Sequence, residues 1–281
     1  MKVENVDAAT VTGFGDEWTR FDQSSVSPQE LEDLFAAYFV IFPWHCLPPG
    51  ATGMDVGCGS GRWAGLVAPR VGHLHCIDPS PAALGVARRN LRHIHNCEFH
   101  ESSADQLPLE DNSMDFGYSL GVLHHVPDTE AALRSCVSKL KTGAPFLLYL
   151  YYSFDNRPSW FRKIWILSDN LRRGVSRLPF GARYAVSRVL AAIVYYPLAR
   201  TALLAERAGV DVELFPLSLY RKRSFYTMST DALDRFGTRL ERRFTKVQVE
   251  NMMRRAGLSG VRFNNSSPYW CALGYKAADE T

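Results

Sequence analysis

Three glycines and two acids have the most chemically informative spacing in the chain. Asp55–Val56–Gly57–Cys58–Gly59–Ser60–Gly61 follows an apolar run and precedes a segment of helical character, Arg62–Ala68. A glycine-rich turn between a strand and a helix lets a ligand approach the backbone, and the helix N-terminus then offers it free N–H groups. The spacing is G-x-G-x-G. A dinucleotide fingerprint needs its third glycine at position 62, which is Arg62, and no Lys-Ser/Thr pair completes a phosphate loop. Asp55 lies inside the strand ahead of the turn. Asp78 ends the next apolar run, 21 positions after Gly57, where a carboxylate can accept both ribose hydroxyls. The turn alone leaves nicotinamide, flavin and methyl-donor ligands open. The plain alternative is a tight βα turn with Asp78 as a helix-entry residue.

These residues need a frame, and the chain supplies a repeating β-α pattern. Strands are expected at Ala51–Gly57, His73–Asp78, Cys97–Glu101, Met114–Ser119 and Pro145–Tyr151. Ser80 followed by Pro81 opens a helix to about Arg92, and Asp128 caps Thr129–Leu140, which Gly143 ends. Ser27–Pro28–Gln29–Glu30 starts an earlier helix, Pro28–Phe39. Thr245–Lys246–Val247–Gln248 is another capping box, before a helix that Gly257 closes and two last strands, Ser259–Asn264 and Tyr269–Tyr275. Alternating helices and buried strands imply an α/β fold, a Rossmann-like, doubly wound, mostly parallel seven-stranded sheet. Ligands of such sheets sit at the strands' carboxyl ends, near the switch in strand order.

The pattern lapses after Tyr152. Residues 157–207 look helical and hold ten Arg/Lys against Asp169 and Glu206, a net of +8, so the rest of the chain carries −5. The expected division is an N-terminal helical cap (1–45), a ligand-binding core (46–152), a helical insertion (153–244) covering the acceptor side, and a last helix and β-hairpin (245–281). The overall net charge of +3 is too small to argue for nucleic acid. None of the six cysteines forms a C-x-x-C pair, and no Cys/His cluster has zinc-ligand spacing, so no metal is expected. The N-terminus lacks a signal-peptide segment, and the longest apolar run, Val189–Ala199, is about half of a membrane span. A soluble, cytoplasmic protein is the expectation.

Four segments in order resemble the class I S-adenosylmethionine-dependent methyltransferases, in the branch that includes the ubiquinone/menaquinone-type enzymes: Met54–Trp63 (MDVGCGSGRW), Cys76–Ser80 (CIDPS), Ala104–Leu109 (ADQLPL) and Met114–Asp128 (MDFGYSLGVLHHVPD). The resemblance covers residues 50–152 strongly, and the tail from about 245 fits the same fold. It implies S-adenosyl-L-methionine as donor and S-adenosyl-L-homocysteine as product. Gly57 and Gly59 would lie against the donor, Asp55 would orient the loop or meet the donor's amino group through water, Asp78 would bind the ribose, and Pro79 would pack beside the adenine. At the family's usual acid before Ala104 this chain has Ser103, which would stand beside the adenine; the Ala104 N–H would still reach the ring, and Asp105 could supply the acceptor for the adenine amine. Leu120 and Gly121 would line the donor. Gly13–Trp18 resembles an N-terminal element that folds over it, with Trp18 or Phe21 closing the pocket; an aromatic staple for the first helix is the alternative.

The donor's sulfonium makes methyl transfer an in-line displacement, in which positioning supplies most of the gain. A base is needed only if the acceptor must lose a proton early. His125 is the candidate base, with His124 read as a packed ring. Tyr151, Tyr152 and Asp155 end strand five on the acceptor side, and Phe225–Tyr226–Thr227–Met228 is the first guess for acceptor contact, giving Tyr152, Tyr226 and Met228 as substrate residues. The expected function is methyl transfer to a small-molecule acceptor, oxygen favoured. The insertion would be a lid for an anionic or lipid-linked acceptor, or helices packing on the core or on a second subunit of a homodimer. A donor-binding protein without transfer is a second reading. An RNA methyltransferase is a third, disfavoured because Leu120–Gly121–Val122–Leu123 stands where an Asn/Asp-Pro-Pro-Tyr/Phe segment would be.

Overall fold

A computed structural model of the chain describes residues 5–278. Its elements run α1 (Ala8–Arg20), α2 (Pro28–Phe39), β1 (Thr52–Val56), α3 (Ala64–Val67), β2 (His73–Asp78), α4 (Pro81–Asn90), β3 (Cys97–Glu101), β4 (Phe116–Leu120), α5 (Thr129–Lys139) and β5 (Pro145–Tyr149). They continue with α6 (Ser159–Val175), α7 (Phe180–Leu190), α8 (Tyr196–Arg207), α9 (Phe225–Gly237), α10 (Lys246–Arg255), β6 (Leu258–Phe263) and β7 (Cys271–Lys276). The chain divides into two units. One is Met1–Gln23, Glu32–Ser153 and Leu240–Thr281; the other is Ser24–Leu31 and Phe154–Arg239.

The first unit holds a seven-stranded sheet in the order β3-β2-β1-β4-β5-β7-β6. β1 to β5 are parallel, and β7 runs antiparallel to both β5 and β6. The order reverses between β1 and β4, which makes the carboxyl end of β1 the switch point. The central strands lack polar alternation because helices cover both faces: all five residues of β4 are buried, and so are the last four of β1 and first four of β5. The edge strands β3 and β6 alternate with exposed polar residues, which blunts edge-to-edge pairing. The cap signals hold. Ser80, Asp128 and Thr245 accept backbone N–H groups from Ala83, Ala131 and Gln248. Strand limits shift by one or two residues, and α3 shortens to four residues because the chain tightens into a 3₁₀ turn at Ala68–Arg70, where Pro69 offers no N–H.

The second unit is helical, with a small core of Val175, Ala191, Tyr195, Ala199, Met228, Ala232 and Phe236. Several of its arginines are used on backbone. Arg172 donates to Thr238 O (2.9 Å), Arg183 to Gly237 O (2.8 Å), Arg157 to Glu213 O (2.8 Å), and Arg200 to Arg221 O and Arg223 O. Two of these clamp the carboxyl end of α9, where cations are favoured by the helix dipole. Arg172 is buried and paired with Asp169 at 2.7 Å. Of the ten cations in residues 157–207, Arg157, Arg172, Arg183 and Arg200 are thus tied to backbone, while Arg162, Lys163, Arg173, Arg177, Arg188 and Arg207 are exposed.

Apolar side chains share the outside with them. Trp160, Ile164, Leu167 and Leu171 recur at helical spacing on α6 and are 45%, 51%, 72% and 47% exposed. Phe180–Arg207 is continuous helix through a π-type turn at Ala191–Tyr195, beside Pro197, whose missing N–H interrupts the regular ladder. By length and composition alone this 28-residue helix is long and apolar enough to cross a membrane, its 18-residue apolar window having mean hydropathy 1.3 and 22% burial. The sequence reading had counted only the run 189–199.

Candidate functional site

The glycine turn leaves β1 at the switch point. Gly57, Gly59 and Gly61 have φ of +82°, +54° and +77°, the region that side chains resist. Space tightens the requirement at all three, a Cβ on Gly61 meeting Leu91 Cδ1 at 2.9 Å. A Cβ on Gly57 would meet the Val122 methyls at 2.4 Å, and one on Gly59 would meet the Trp18 indole at 2.8 Å. α1 therefore crosses the turn and sets Trp18 on it. The Arg62 guanidinium lies over the same indole at 5.6 Å.

Asp78 is the electrostatic centre of the turn. Its Oδ2 accepts the Gly59 N–H and its Oδ1 the Ser80 N–H, both at 2.9 Å. One carboxylate thereby joins the glycine turn to the first residues of α4. Burial pushes its pKa up to about 6, against the pull of those two N–H groups. Each oxygen keeps a second lone pair, so Asp78 can still accept hydroxyls. Asp55 lies deeper, almost wholly buried, where Tyr118 donates its hydroxyl to Asp55 Oδ2 at 3.0 Å. Burial raises Asp55 to about 8. The two residues face each other in the β1–β4 register. The signal for Tyr118 was a lone polar-tipped ring in a buried strand beside the strand bearing Asp55; sequence reasoning missed it.

The segment after β3 runs beside Asp78, whose backbone oxygen accepts the Ser102 N–H. Ser103 and Pro79 are half-buried and Ala104 is buried. Asp105 Oδ2 accepts the Asn5 N–H at 3.4 Å, while Asp105 Oδ1 is buried with no hydrogen-bond partner among the described residues. A buried acceptor without a donor is costly unless something fills it. Leu120 is buried at the end of β4, and Gly121 (φ +80°) turns the chain toward Val122.

Beyond Gly121, a 3₁₀ turn buries Leu123, His124 and His125. His125 Nδ1 lies 2.6 Å from Leu240 O. A carbonyl can only accept, so Nδ1 carries the proton and Nε2 the lone pair. Phe14 of α1 meets the His125 ring edge-on at 4.9 Å. His124 is wholly buried between His125 and Tyr151, each ring 3.9 Å away, and burial pushes its pKa well below 6.5. It is a neutral packed ring. Arg243 stands over Tyr151 at 5.1 Å and donates to Tyr152 O. Leu240 and Arg243 belong to a segment the sequence reading had left inside the insertion. Nothing local marks it, because its partners are about 90 to 115 residues away.

The proposed acceptor residues belong to different units. Tyr152 is half-buried against Tyr269 at 5.6 Å in the first unit. Tyr226 lies in the first turn of α9 in the second unit, half-buried. Met228 is a correction: its side chain is wholly buried in the second unit's own core, because α9 starts at Phe225 and its apolar face carries Met228, Ala232 and Phe236. Cys58 is buried, and burial lifts its thiol to about 11, so it is no nucleophile.

Residues 54–148 match the family described as "Methyltransferase domain". Among curated proteins the chain is similar to phosphoethanolamine N-methyltransferase 2 of Caenorhabditis elegans, 36% identical over 106 residues, covering 37% of this chain and 24% of that protein. It is similar to the ubiquinone biosynthesis O-methyltransferase of Hahella chejuensis, 29% identical over 157 residues (55% and 64%). It is also similar to the ubiquinone/menaquinone biosynthesis C-methyltransferase of Brucella canis, 38% identical over 106 residues (35% and 39%). The chain thus spans from about a quarter to under two thirds of these relatives' lengths. Two solved structures share the fold. A SAM-dependent methyltransferase from Aquifex aeolicus has TM-score 0.51, is 15% identical and covers 92% of this chain and 96% of that one. The Haemonchus contortus phosphoethanolamine N-methyltransferase 2 complex with S-adenosyl-L-methionine has TM-score 0.53, is 17% identical and covers 92% and 44%.

Proposed function

Residues 54–148 being a class I S-adenosylmethionine-dependent methyltransferase domain, we propose that this chain transfers a methyl group from S-adenosyl-L-methionine to a small-molecule acceptor, oxygen favoured, and releases S-adenosyl-L-homocysteine. One observation carries the reading: Asp78 is tied through both oxygens to the Gly59 and Ser80 N–H groups at the switch point, with lone pairs left over. A carboxylate so fixed accepts paired ribose hydroxyls without reorganising. The donor fits the residues present. The positive φ of Gly57 and Gly59 turns the chain at the switch point, and Asp105 Oδ1 is a buried acceptor with no partner among the described residues, which the adenine amine would fill. Asp105 then does the work of the acid that Ser103 replaces, with Ala104 and Pro79 against the ring, Leu120 lining the donor and Trp18 covering it. Asp55 holds the turn from beneath, and in its ionised form draws the donor's amino group.

The donor brings an activated methyl on sulfur. The chain's residues align it and exclude water. Where the acceptor is a hydroxyl, His125 takes its proton at Nε2, the tautomer being set by Leu240 O. Tyr152 and Tyr226 are proposed acceptor contacts. The acceptor is best read as apolar or lipid-linked. The second unit turns Ile164 and Leu167 outward beside exposed Arg162 and Lys163, and two of the similar proteins are named for ubiquinone biosynthesis. We place the enzyme in the cytoplasm; free thiols at all six cysteines support a reducing compartment.

Calorimetry with S-adenosyl-L-methionine, followed by labelled-methyl transfer to hydroxylated quinone precursors, lipids, sugars, amines and tRNA, tests the proposal. Absence of donor binding ends it. Donor binding with no acceptor labelled favours the non-transferring reading, and label in tRNA alone rejects a small-molecule acceptor.

A further inference from the structure

The far edge of the sheet carries a cluster that the donor site does not use. His73-x-His75 lies on β2 and Glu98-x-His100 on the edge strand β3. Successive strand residues alternate faces, so each pair shares one face. The register sets His75 opposite Glu98 and Ile77 opposite His100, which puts all four on the same face. Asp78 belongs to the opposite alternation of β2, so the cluster is separate from the donor site. Two strands joined by α4 thus assemble a three-imidazole, one-carboxylate set that no local sequence spacing displays.

We propose that His73, His75 and Glu98 form a divalent-metal site of the zinc kind, with His100 beside it, which staples β3 to β2. The distances carry it. His73 Nε2 and His75 Nδ1 lie 3.4 and 3.5 Å from Glu98 Oε2, and His100 Nε2 lies 3.7 Å from Glu98 Oε1. His75 Nδ1 and His100 Nε2 are 3.0 Å apart. Ligands bound at 2.0–2.1 Å around a tetrahedral zinc stand about 3.3 Å from one another. The donor atoms of His73, His75 and Glu98 all lie within 4.8 Å of each other. Imidazole nitrogens with one carboxylate suit zinc, cobalt or nickel, whereas magnesium and calcium prefer oxygen sets. The three ligands come from both strands, and His100, hydrogen-bonded to His75 and 3.7 Å from Glu98, stands next to them. β3 has a sheet neighbour on one side only, so a cross-strand metal adds most there.

The test uses the full chain after chelator treatment, titrated with Zn²⁺ by calorimetry and with Co²⁺ by visible absorption. One Zn²⁺ per chain, intense d–d bands of four-coordinate Co²⁺ that Zn²⁺ displaces, and a Zn²⁺-dependent rise in melting temperature are expected. His73→Gln and Glu98→Gln, at half-exposed and exposed side chains, should each weaken Zn²⁺ binding at least about tenfold while keeping the metal-free circular dichroism. His93→Gln and His95→Gln, exposed and outside the cluster, should leave it unchanged. Failure to bind stoichiometrically, a pale octahedral Co²⁺ spectrum, or affinity retained in the His73→Gln/Glu98→Gln double variant overturns the site. A variant that melts before titration is replaced by Glu98→Asp, which keeps the charge but withdraws the oxygens by one methylene, and which must also lose affinity.

Discussion

The two units use polar residues in opposite ways. In the first, a few acids are buried at the ends of parallel strands and held by fixed donors: Asp78 by two backbone N–H groups, Asp55 by Tyr118. In the second, several arginines are spent on helix-terminal carbonyls and on Asp169, and the outward surface mixes apolar side chains with exposed cations. Buried acids with spare lone pairs make a site. Arginines saturated by carbonyls make a scaffold. Charge counts alone cannot tell these apart, since the same +8 can describe either.

The largest expected effect lies in the first unit. Asp78→Ala removes the acceptor for two ribose hydroxyls, each hydrogen bond to a charged group being worth about 1.5–3 kcal/mol. Donor affinity should fall at least about 100-fold by calorimetry. An unchanged affinity breaks the ribose assignment and the contrast with it. The matching change in the second unit is Met228→Ala. A wholly buried methionine cut to alanine should cost about 2–5 kcal/mol of stability by denaturant melting, with donor affinity unchanged. If affinity for the acceptor fell while stability held, Met228 would return to the substrate surface.

How much of this was legible follows from range. The glycine turn, Asp78 and the helix caps were readable because each rests on one to four neighbouring residues, where backbone conformation and residue type constrain each other directly. The parallel sheet was readable because unalternated strands such as β4 have to be covered on both faces. Tyr118 under Asp55, Leu240 against His125 and the His73–His100 cluster depend on strand register or on chain returning from far away, and no window of sequence contains both partners. Met228 was misread for a related reason: without recognising α9, its helical face could not be assigned. The four arginines that clamp carbonyls could not be told from the exposed ones, because a carbonyl clamp and a free basic face have the same composition.

A smaller effect sharpens the picture of buried acids. Asp55 is raised to about 8 from 3.8. The folded chain therefore holds a proton that the unfolded chain releases, so stability is fully present below pH 4 and declines as pH rises through about 8, by no more than about 1.4 kcal/mol per pH unit. Asp55→Asn keeps an acceptor for the Tyr118 hydroxyl and removes that decline. The ligand-free variant should melt above the parent at pH 8.5, and the difference should shrink toward zero near pH 4. A constant difference across that range would show that burial does not govern Asp55. In the parent, donor affinity should rise between pH 6 and 8 as Asp55 becomes available in ionised form, and Asp55→Asn should flatten that rise.

The smallest effect on the fold tests the outward face of the second unit. Ile164 and Leu167 are more than half exposed, so Ile164→Ser/Leu167→Ser should change melting by no more than about 0.5 kcal/mol. Their burial in a bilayer interface, however, would be worth about 25 cal/mol for each Å² covered. Arg162, Lys163, Arg173 and Arg177 on or just after α6 are exposed and would favour anionic headgroups. Flotation with phosphatidylserine-containing vesicles should therefore recover the parent, and the double variant about tenfold less, while calorimetry finds the same donor affinity in both. Loss of flotation together with donor affinity would mean that the change had reached the first unit. Equal flotation of parent and variant would mean that the apolar stripe is not what meets lipid, and the reading of an apolar, lipid-linked acceptor would lose its main physical support.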